Sequence, residues 1–309
     1  MKRAIPIYAF FLLLSAFLVN ANAAENRDVI IQQQMDQLEN QIDQTFNPAP
    51  KKPTHFDYEI APEFSFIKYN EHNFIKEFGY MDGISGSITY HPHDGDSSFH
   101  EMYRLEGMFN YGKVNYRGST IDLNTGDITP TNVNGIQDYM VEMRGLIGAD
   151  FHLFKSELLT PYIGFGYRSL YDTASSIKPG GYNRWIQYFY LPIGTDITTR
   201  LNDQWSLTTN LEYDLFILGR VTSYASTDGL GTIVNTQRKG YGLRGSLKLR
   251  KILNHYNIFF EPFVRYWNIR KSEGKTLGPF LIGSSEEFLT FVEPLNSSLE
   301  LGGKLGIEF

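Results

Sequence analysis

The run Leu299-Glu300-Leu301-Gly302-Gly303-Lys304-Leu305-Gly306-Ile307-Glu308-Phe309 alternates without a break. Leu299, Leu301, Gly303, Leu305, Ile307 and Phe309 fall on one face, and Glu300, Gly302, Lys304, Gly306 and Glu308 on the other. A period of two belongs to a β-strand, whose side chains point alternately to opposite sides. One apolar face and one charged face suit a strand set between oil and a polar interior. The overall composition conceals this. With 42% hydrophobic and 20% charged residues and a mean hydropathy of −0.29, the chain resembles a water-soluble protein. A membrane barrel has such a composition because half of every strand faces a polar lumen. The 20 Tyr, 23 Phe and 28 Gly favour strands joined by turns over helices.

Working back from that strand, ten segments alternate in the same way: roughly 56–69, 79–91, 99–113, 136–152, 158–171, 184–199, 204–219, 240–251, 256–270 and 296–309. In the seventh, Trp205, Leu207, Leu211, Tyr213, Leu215 and Ile217 oppose Ser206, Thr208, Asn210, Glu212 and Asp214. The connections after the second, fourth, sixth and eighth segments are short. Those after the third, fifth, seventh and ninth are longer and rich in Gly, Ser, Thr and Asn. The connection near 70–78 is short and breaks the pattern. Short turns on one side and long loops on the other are the mark of an outer-membrane barrel, with both chain ends on the periplasmic side. The expected fold is therefore all-β: a transmembrane antiparallel up-and-down β-barrel of about ten strands over 55–309. Eight strands is the alternative. A soluble barrel would bury its apolar face inside and would not need the loop asymmetry. Phe56, Tyr58, Tyr69, Tyr171, Trp185, Trp205, Tyr266 and Trp267 lie near strand ends, where interfacial girdles form.

The other end of the chain agrees. Lys2 and Arg3 precede a mostly apolar stretch from Ala4 to Val19, and Ala21-Asn22-Ala23 is a small-x-small site. Residues 1–23 are expected to be a secretory signal peptide cut after Ala23. Its loss would remove two bases and no acid, taking the formal charge from −6 to −8. An acidic balance argues against nucleic acid as partner. The chain has no cysteine, which excludes a disulfide framework and suits an oxidising periplasm. In 24–54, Ile31, Met35, Leu38 and Ile42 recur at spacings of 4, 3 and 4. They predict a short periplasmic amphipathic helix, followed by the stiff Pro-rich linker Asn47–Pro53.

Inward parity fills the lumen with charge of both signs. The acids are Asp57, Glu59, Glu63, Glu106, Glu142, Asp150, Asp196, Glu212, Asp214, Glu261, Glu300 and Glu308; the bases are Arg104, Arg144, Arg168, Arg244, Lys248, Arg250, Arg265 and Lys304. Ten strands enclose little more space than eight, whose side chains already fill the interior. Charges there must pair or be hydrated. A cross-linked, largely plugged lumen is expected, with Glu142, Arg144, Arg168, Glu212, Asp214, Arg244, Glu261 and Arg265 as its central network. A narrow charge-lined pore is the alternative. General-diffusion porins, which need about 16 strands, are excluded.

The histidines offer little chemistry. His55, His91, His93, His100, His152 and His255 fall at the periplasmic side of this topology, and only His72 on an external connection. His91-Pro-His93-Asp94-Gly95-Asp96 with His100 has the ligand types of a zinc or copper site. A solvated turn has the same composition, and no metal is expected. No G-x-S-x-G elbow occurs. No catalytic residue or cofactor is assigned, and the chain is read as a non-enzyme.

Several stretches are similar to a known group. They are Ala61–Tyr69, Tyr80–Tyr90, Leu159–Arg168, Tyr213–Phe216, Lys239–Ser246 and, most distinctively, Pro262-Phe-Val-Arg-Tyr-Trp267 within Phe260–Glu273. Together they resemble a widespread group of uncharacterised, small outer-membrane barrel proteins of Gram-negative bacteria, over about 57–309. The resemblance implies the fold and a place in the outer membrane, and it carries no activity. The closing Phe309 resembles the terminal signal that the barrel assembly machinery reads. The omptin proteases also have ten strands and a C-terminal Phe, but their paired acids and Asp-His element have no counterpart placed here at the outer rim. Asp150-Phe151-His152 falls at the periplasmic end. The expected partners are outer-membrane lipid and lipopolysaccharide, the assembly machinery, and an unidentified external partner. The expected function is that of a non-enzymatic surface protein whose external loops 114–135, 219–239 and 271–295 bind that partner or act as antigen, with Phe280, Phe288 and Phe291 either apolar anchors or packed down onto the barrel mouth. A channel for ions or small solutes is the alternative function, and an outer-membrane hydrolase a remote one.

Overall fold

The computed structural model describes residues 56–309 except 72–73, 93–98, 122–127, 155, 178–180, 226–230 and 283–284. The expected signal peptide, helix and linker of residues 1–54 lie outside the described residues.

The ten segments become ten barrel strands: β1 (Phe56–Glu71), β2 (Ile75–Tyr90), β3 (Phe99–Ile121), β4 (Ile128–Phe154), β5 (Glu157–Asp172), β6 (Asn183–Arg200), β7 (Trp205–Ala225), β9 (Gly240–Ile252), β10 (Asn257–Ile269) and β13 (Asn296–Glu308). Three further strands, β8 (Gly231–Gln237), β11 (Lys275–Ile282) and β12 (Ser285–Phe291), stand outside the ring. Each barrel strand pairs antiparallel with the next, and β1 pairs with β13 to close the wall. At that seam Glu63 faces Lys304 and Glu71 faces Asn296. Phe309 lies just past β13, where its backbone N–H donates to the Tyr58 carbonyl at 3.0 Å and its carbonyl accepts from Tyr58 N–H at 2.8 Å.

Burial follows the alternation, and it runs opposite to a soluble protein. Phe64, Tyr80, Leu105, Met143, Ile147, Phe165, Leu211 and Leu305 point outward and are exposed, while Glu63, Glu142, Arg168, Glu212, Asp214 and Glu300 point inward and are buried. A charged interior wrapped in an exposed apolar band is stable only in a membrane. Aromatic clusters bound that band. Phe56, Tyr58, Tyr90, Tyr103 and Phe309 gather at the end where β1 begins and β13 ends. Phe66–Tyr80, Tyr111–Tyr139 and Tyr213–Tyr241–Tyr266 mark the other end. Two residues assigned to girdles are corrected: Tyr69 and Trp267 are 4% and 1% exposed and face the lumen.

The long connections are also more ordered than their composition suggests. Most of 114–135 continues β3 and β4 beyond the barrel wall, 231–237 forms β8 against the end of β7, and 275–291 is the β11–β12 hairpin. Near the external end of the wall the β3–β4 register slips between Val114 and Asn115, and Gly135 is the extra residue. Its φ of 79° is the left-handed conformation a glycine bulge requires.

The lack of cysteine makes the topology simple to check. A single cysteine at Lys239 or Lys275 is expected to react with a membrane-impermeant maleimide on intact cells. One at Asn202 or Tyr256 should react only after lysis. The reverse pattern would invert the barrel.

Candidate functional site in the barrel lumen

The lumen has three levels, each set by which residues fall on inward positions. The periplasmic level encloses a cavity of about 340 Å³ lined by, among others, Glu59, Arg104, Glu106, Asp196, Lys248 and Lys304. Its charges are cross-linked between strands. Arg104 meets Asp196 at 2.9 Å, Lys248 meets Glu59 at 2.6 Å, Arg250 meets Glu308 at 2.6 Å and Lys304 meets Glu261 at 3.6 Å. His91 at the rim has Nδ1 3.2 Å from Asp150, whose other oxygen accepts from the Thr160 hydroxyl at 2.5 Å.

The inner wall of this cavity is a denser network, with Glu142, Arg144, Arg244 and Arg265 among the lining residues. Arg244 reaches three carboxylates: Nε is 2.7 Å from Asp214 and 3.2 Å from Glu212, and Nη1 is 2.8 Å from Glu142. The Tyr190 hydroxyl donates to Glu142 at 2.7 Å. Arg144 pairs with Glu212 and lies 3.4 Å from Glu106. Arg265 holds Glu63 with both terminal nitrogens, at 2.7 and 3.2 Å, and reaches Glu300 at 3.2 Å. Two-pronged guanidinium–carboxylate contacts are the geometry in which buried ions keep their hydrogen bonds. Of the expected network, Glu142, Arg144, Glu212, Asp214 and Arg244 are thus in mutual contact, while Arg265 and Glu261 belong to neighbouring pairs. Arg168 stands apart, 3.6 Å from the Met140 sulfur and over the Trp267 ring.

The middle level is apolar. Met81, Met140, Tyr188, Tyr190, Phe216, Val221 and Trp267 form one buried cluster with Ile67, Leu170 and Ile186. The Trp267 ring lies 5.0 Å from Tyr190 and 5.5 Å from Tyr188, and Phe216 is edge-on to Tyr188 at 5.4 Å. Two local features make room for it. A Cβ on Gly166 would come within 2.2 Å of the Tyr190 ring, so this position must lack a side chain. On β7 the register slips at Phe189/Tyr190, so that Phe216 and then Gly219 and Val221 point inward. The charged cavity ends below this layer.

The external level was not anticipated. Arg184 meets Glu71 at 2.5 Å, Asp172 at 3.0 Å and Glu77 at 3.1 Å. Asp138 directly faces Asp172 across β4 and β5, and each keeps one buried oxygen without a hydrogen-bond partner. Glu293 closes the group from the connection before β13: Tyr69 donates to its carboxylate at 3.5 Å, and its N–H donates to the Ser272 hydroxyl at 2.8 Å. These residues could have been found by carrying the inward parity of β1, β2, β5 and β6 to their external ends.

Burial, with Glu71 close by, pushes the Glu293 carboxyl up to about 8. The folded value lies above the ordinary 4.5, so the neutral form is the one that docks. Docking of this connection is expected to be strongest below pH 4.5 and to weaken as pH rises from there through about 8. Hydrogen exchange at the Ser272 and Glu293 amides should speed up over that range beyond the intrinsic rise, and Glu293→Gln should flatten the change.

Among the described residues no group of three or more His, Asp or Glu is arranged to hold a metal ion. His91, His100, His152 and His255 all lie at the periplasmic end; His93 lies outside the described residues, as do His55 and His72.

Comparison with solved structures bears on the fold. The outer membrane protease OmpT from Escherichia coli superposes with a TM-score of 0.59 at 9% identity, over 85% of this chain and 99% of OmpT. The fold is that of a Gram-negative outer-membrane barrel. Weaker likenesses include the translocator domain of the autotransporter NalP from Neisseria meningitidis (TM-score 0.39, 8% identity, 91% of this chain and 97% of that one). Another is the attachment invasion locus protein Ail of Yersinia pestis (0.30, 9%, 83% and 100%). No family model and no curated protein matches the chain. The OmpT likeness corrects one expectation. The reading of the chain as a non-enzyme does not stand, because a protease is built on this ten-stranded plan. At 9% identity the likeness shows the fold and does not transfer the activity.

Proposed function

We propose that this barrel is a rigid scaffold that presents a crown of β-hairpins to a partner outside the cell. The observation that carries this reading is strand length. β3 has 23 residues and β4 has 27, whereas crossing a bilayer takes about 9–11. The surplus lies beyond the aromatic girdle, on the side away from the start of β1 and the end of β13. The β7–β8 extension and the β11–β12 hairpin add paired backbone on the same side. Holding this much ordered strand outside the membrane suits recognition, since binding surfaces are carried on projections from a stable frame. Phe288 is 63% exposed on β12 and Phe291 is half-buried at its end; the Phe280 side chain lies outside the described residues. The apolar middle level of the lumen counts against the channel alternative.

Trimming tests this. Cells displaying the intact protein are expected to adhere to immobilised extracellular-matrix glycoproteins. Cells displaying a barrel with 275–291 and 116–132 each replaced by a short turn, at equal surface abundance, should lose that adhesion. Equal adhesion by the trimmed barrel, or absence of adhesion by the intact one, would refute this reading.

A further inference from the structure

The outward face of β1–β3 carries cations where the membrane ends. Phe78 on β2 lies opposite Lys68 on β1 and opposite Asn115 on β3. Two residues along β2 in one direction is Lys76, opposite Arg117, and two in the other is Tyr80, opposite Lys113. Four cationic side chains therefore surround one aromatic ring, within two strand spacings of about 4.8 Å. Lys68, Lys76 and Lys113 are exposed. Arg117 is positioned: its guanidinium donates to the Tyr116 carbonyl and to Asn134 Oδ1, each at 2.8 Å, and lies 5.6 Å from the Phe78 ring centre. The register neighbours on β3 and β4 at this height are uncharged: Asn115, Asn132, Asn134 and Gln137. The nearest outward carboxylate in register, Asp82, sits below Tyr80 on the membrane side.

Depth selects the occupant. Tyr80 packs edge-on against Phe66 at 5.4 Å in the external girdle, so the four cations stand at headgroup height in the outer leaflet. Below them Phe64, Tyr80 and Ile84 are exposed to acyl chains. We propose that this face is a binding site for the phosphorylated headgroup of an outer-leaflet glycolipid, lipopolysaccharide, with Lys68, Lys76, Lys113 and Arg117 meeting its phosphates. Lone lysines at a membrane edge merely reach for water. A cluster around a held guanidinium, above a wall that is apolar apart from Asp82, matches a ligand that is both multiply anionic and lipid-anchored.

The test uses the whole protein in micelles of an uncharged detergent, with deep-rough lipopolysaccharide as probe and native mass spectrometry as readout. The wild-type protein is expected to retain this lipid, and K68S/K76S/K113S/R117S to bind it more than about tenfold more weakly. Each single serine substitution should cost up to about fivefold. Lys251→Ser, whose ammonium sits over Trp205 at the periplasmic rim, should bind as the wild type does. Heat-modifiable migration on gels confirms that each variant is folded, and K68S/K76S/K113S, which keeps the Arg117 hydrogen bonds, should also bind more than about tenfold more weakly. Binding by the quadruple variant within twofold of wild type would overturn the site. So would equal retention of dephosphorylated lipopolysaccharide or of phosphatidylglycerol, which would mark generic interfacial attraction. Displacement by inorganic phosphate at concentrations equal to the lipid's would assign the patch to soluble anions and also overturn it.

Discussion

Replacing Arg244 with alanine is expected to destabilise the folded barrel by about 3–5 kcal/mol, the cost of removing one partner from a buried ion pair. The guanidinium is the shared partner of Glu142, Glu212 and Asp214, and it is buried although it borders the periplasmic cavity. Glu142 would keep the Tyr190 hydroxyl and Glu212 would keep Arg144 and Tyr162. Asp214 would lose its 2.7 Å contact and stand as a buried carboxylate without compensation. Urea unfolding in detergent, followed by heat-modifiable migration, measures the loss. Arg244→Lys should recover part of it, since an ammonium restores charge but cannot span two carboxylates. Arg244→Met combined with Glu142→Gln and Asp214→Asn should recover more than Arg244→Ala, because it leaves no unpaired charge. Equal stability of wild type and Arg244→Ala would show that the network is hydrated rather than buried.

The second large effect concerns the apolar middle level. Trp267→Ala is expected to cost about 3–5 kcal/mol, as for other large-to-small changes in packed interiors. The double variant Trp267→Ala, Phe216→Ala should go further and join the space it creates to the periplasmic cavity. Tyr190 is left in place in this design because its hydroxyl holds Glu142 and accepts from Arg244 at 2.9 Å. In planar bilayers the wild-type protein is expected to show no stable single-channel steps, and the double variant to show them. Steps from the wild type would mean that Trp267 and its neighbours do not seal the lumen, and would favour the channel over the crown.

The wall of the barrel was legible in the sequence because a lipid face on one side and a charged face on the other give a clean period of two. The ten strands and most inward charges follow from that contrast alone. It fails wherever the contrast is lost or reversed. Near Tyr69 and Trp267 the contrast reverses, with Lys68, Asn70 and Asn268 outward and Ile67, Tyr69, Trp267 and Ile269 inward, so lumen-filling aromatics read as girdle residues. Beyond the girdle, 114–135 is rich in Gly, Ser, Thr and Asn and reads as loop, although backbone pairing continues through it. The slips at Gly135 and beside Phe216 exchange inward and outward positions, and no side-chain pattern announces them. The Arg184 cluster was missed for a related reason: Glu71, Glu77 and Asp172 sit at strand ends, where the apolar partner positions that reveal parity have run out. Enzymatic status was misjudged differently, from the missing motifs of known hydrolases, and motifs speak only for the families that define them.

Closure of β1 onto β13 has a consequence for how the molecule opens. A ring has no terminal strand, so no ladder in the wall can fray from a free side, and any local opening must breach two neighbours together. Amide protons of the wall are expected to exchange as one slow, cooperative class. Among the described strands β8 pairs only with β7, and β11 only with β12, so each leaves one line of N–H and C=O groups unsatisfied by strand pairing. Such lines are templates for an added strand. The part of this protein that faces outward is therefore also the part able to extend its own sheet onto another chain's backbone.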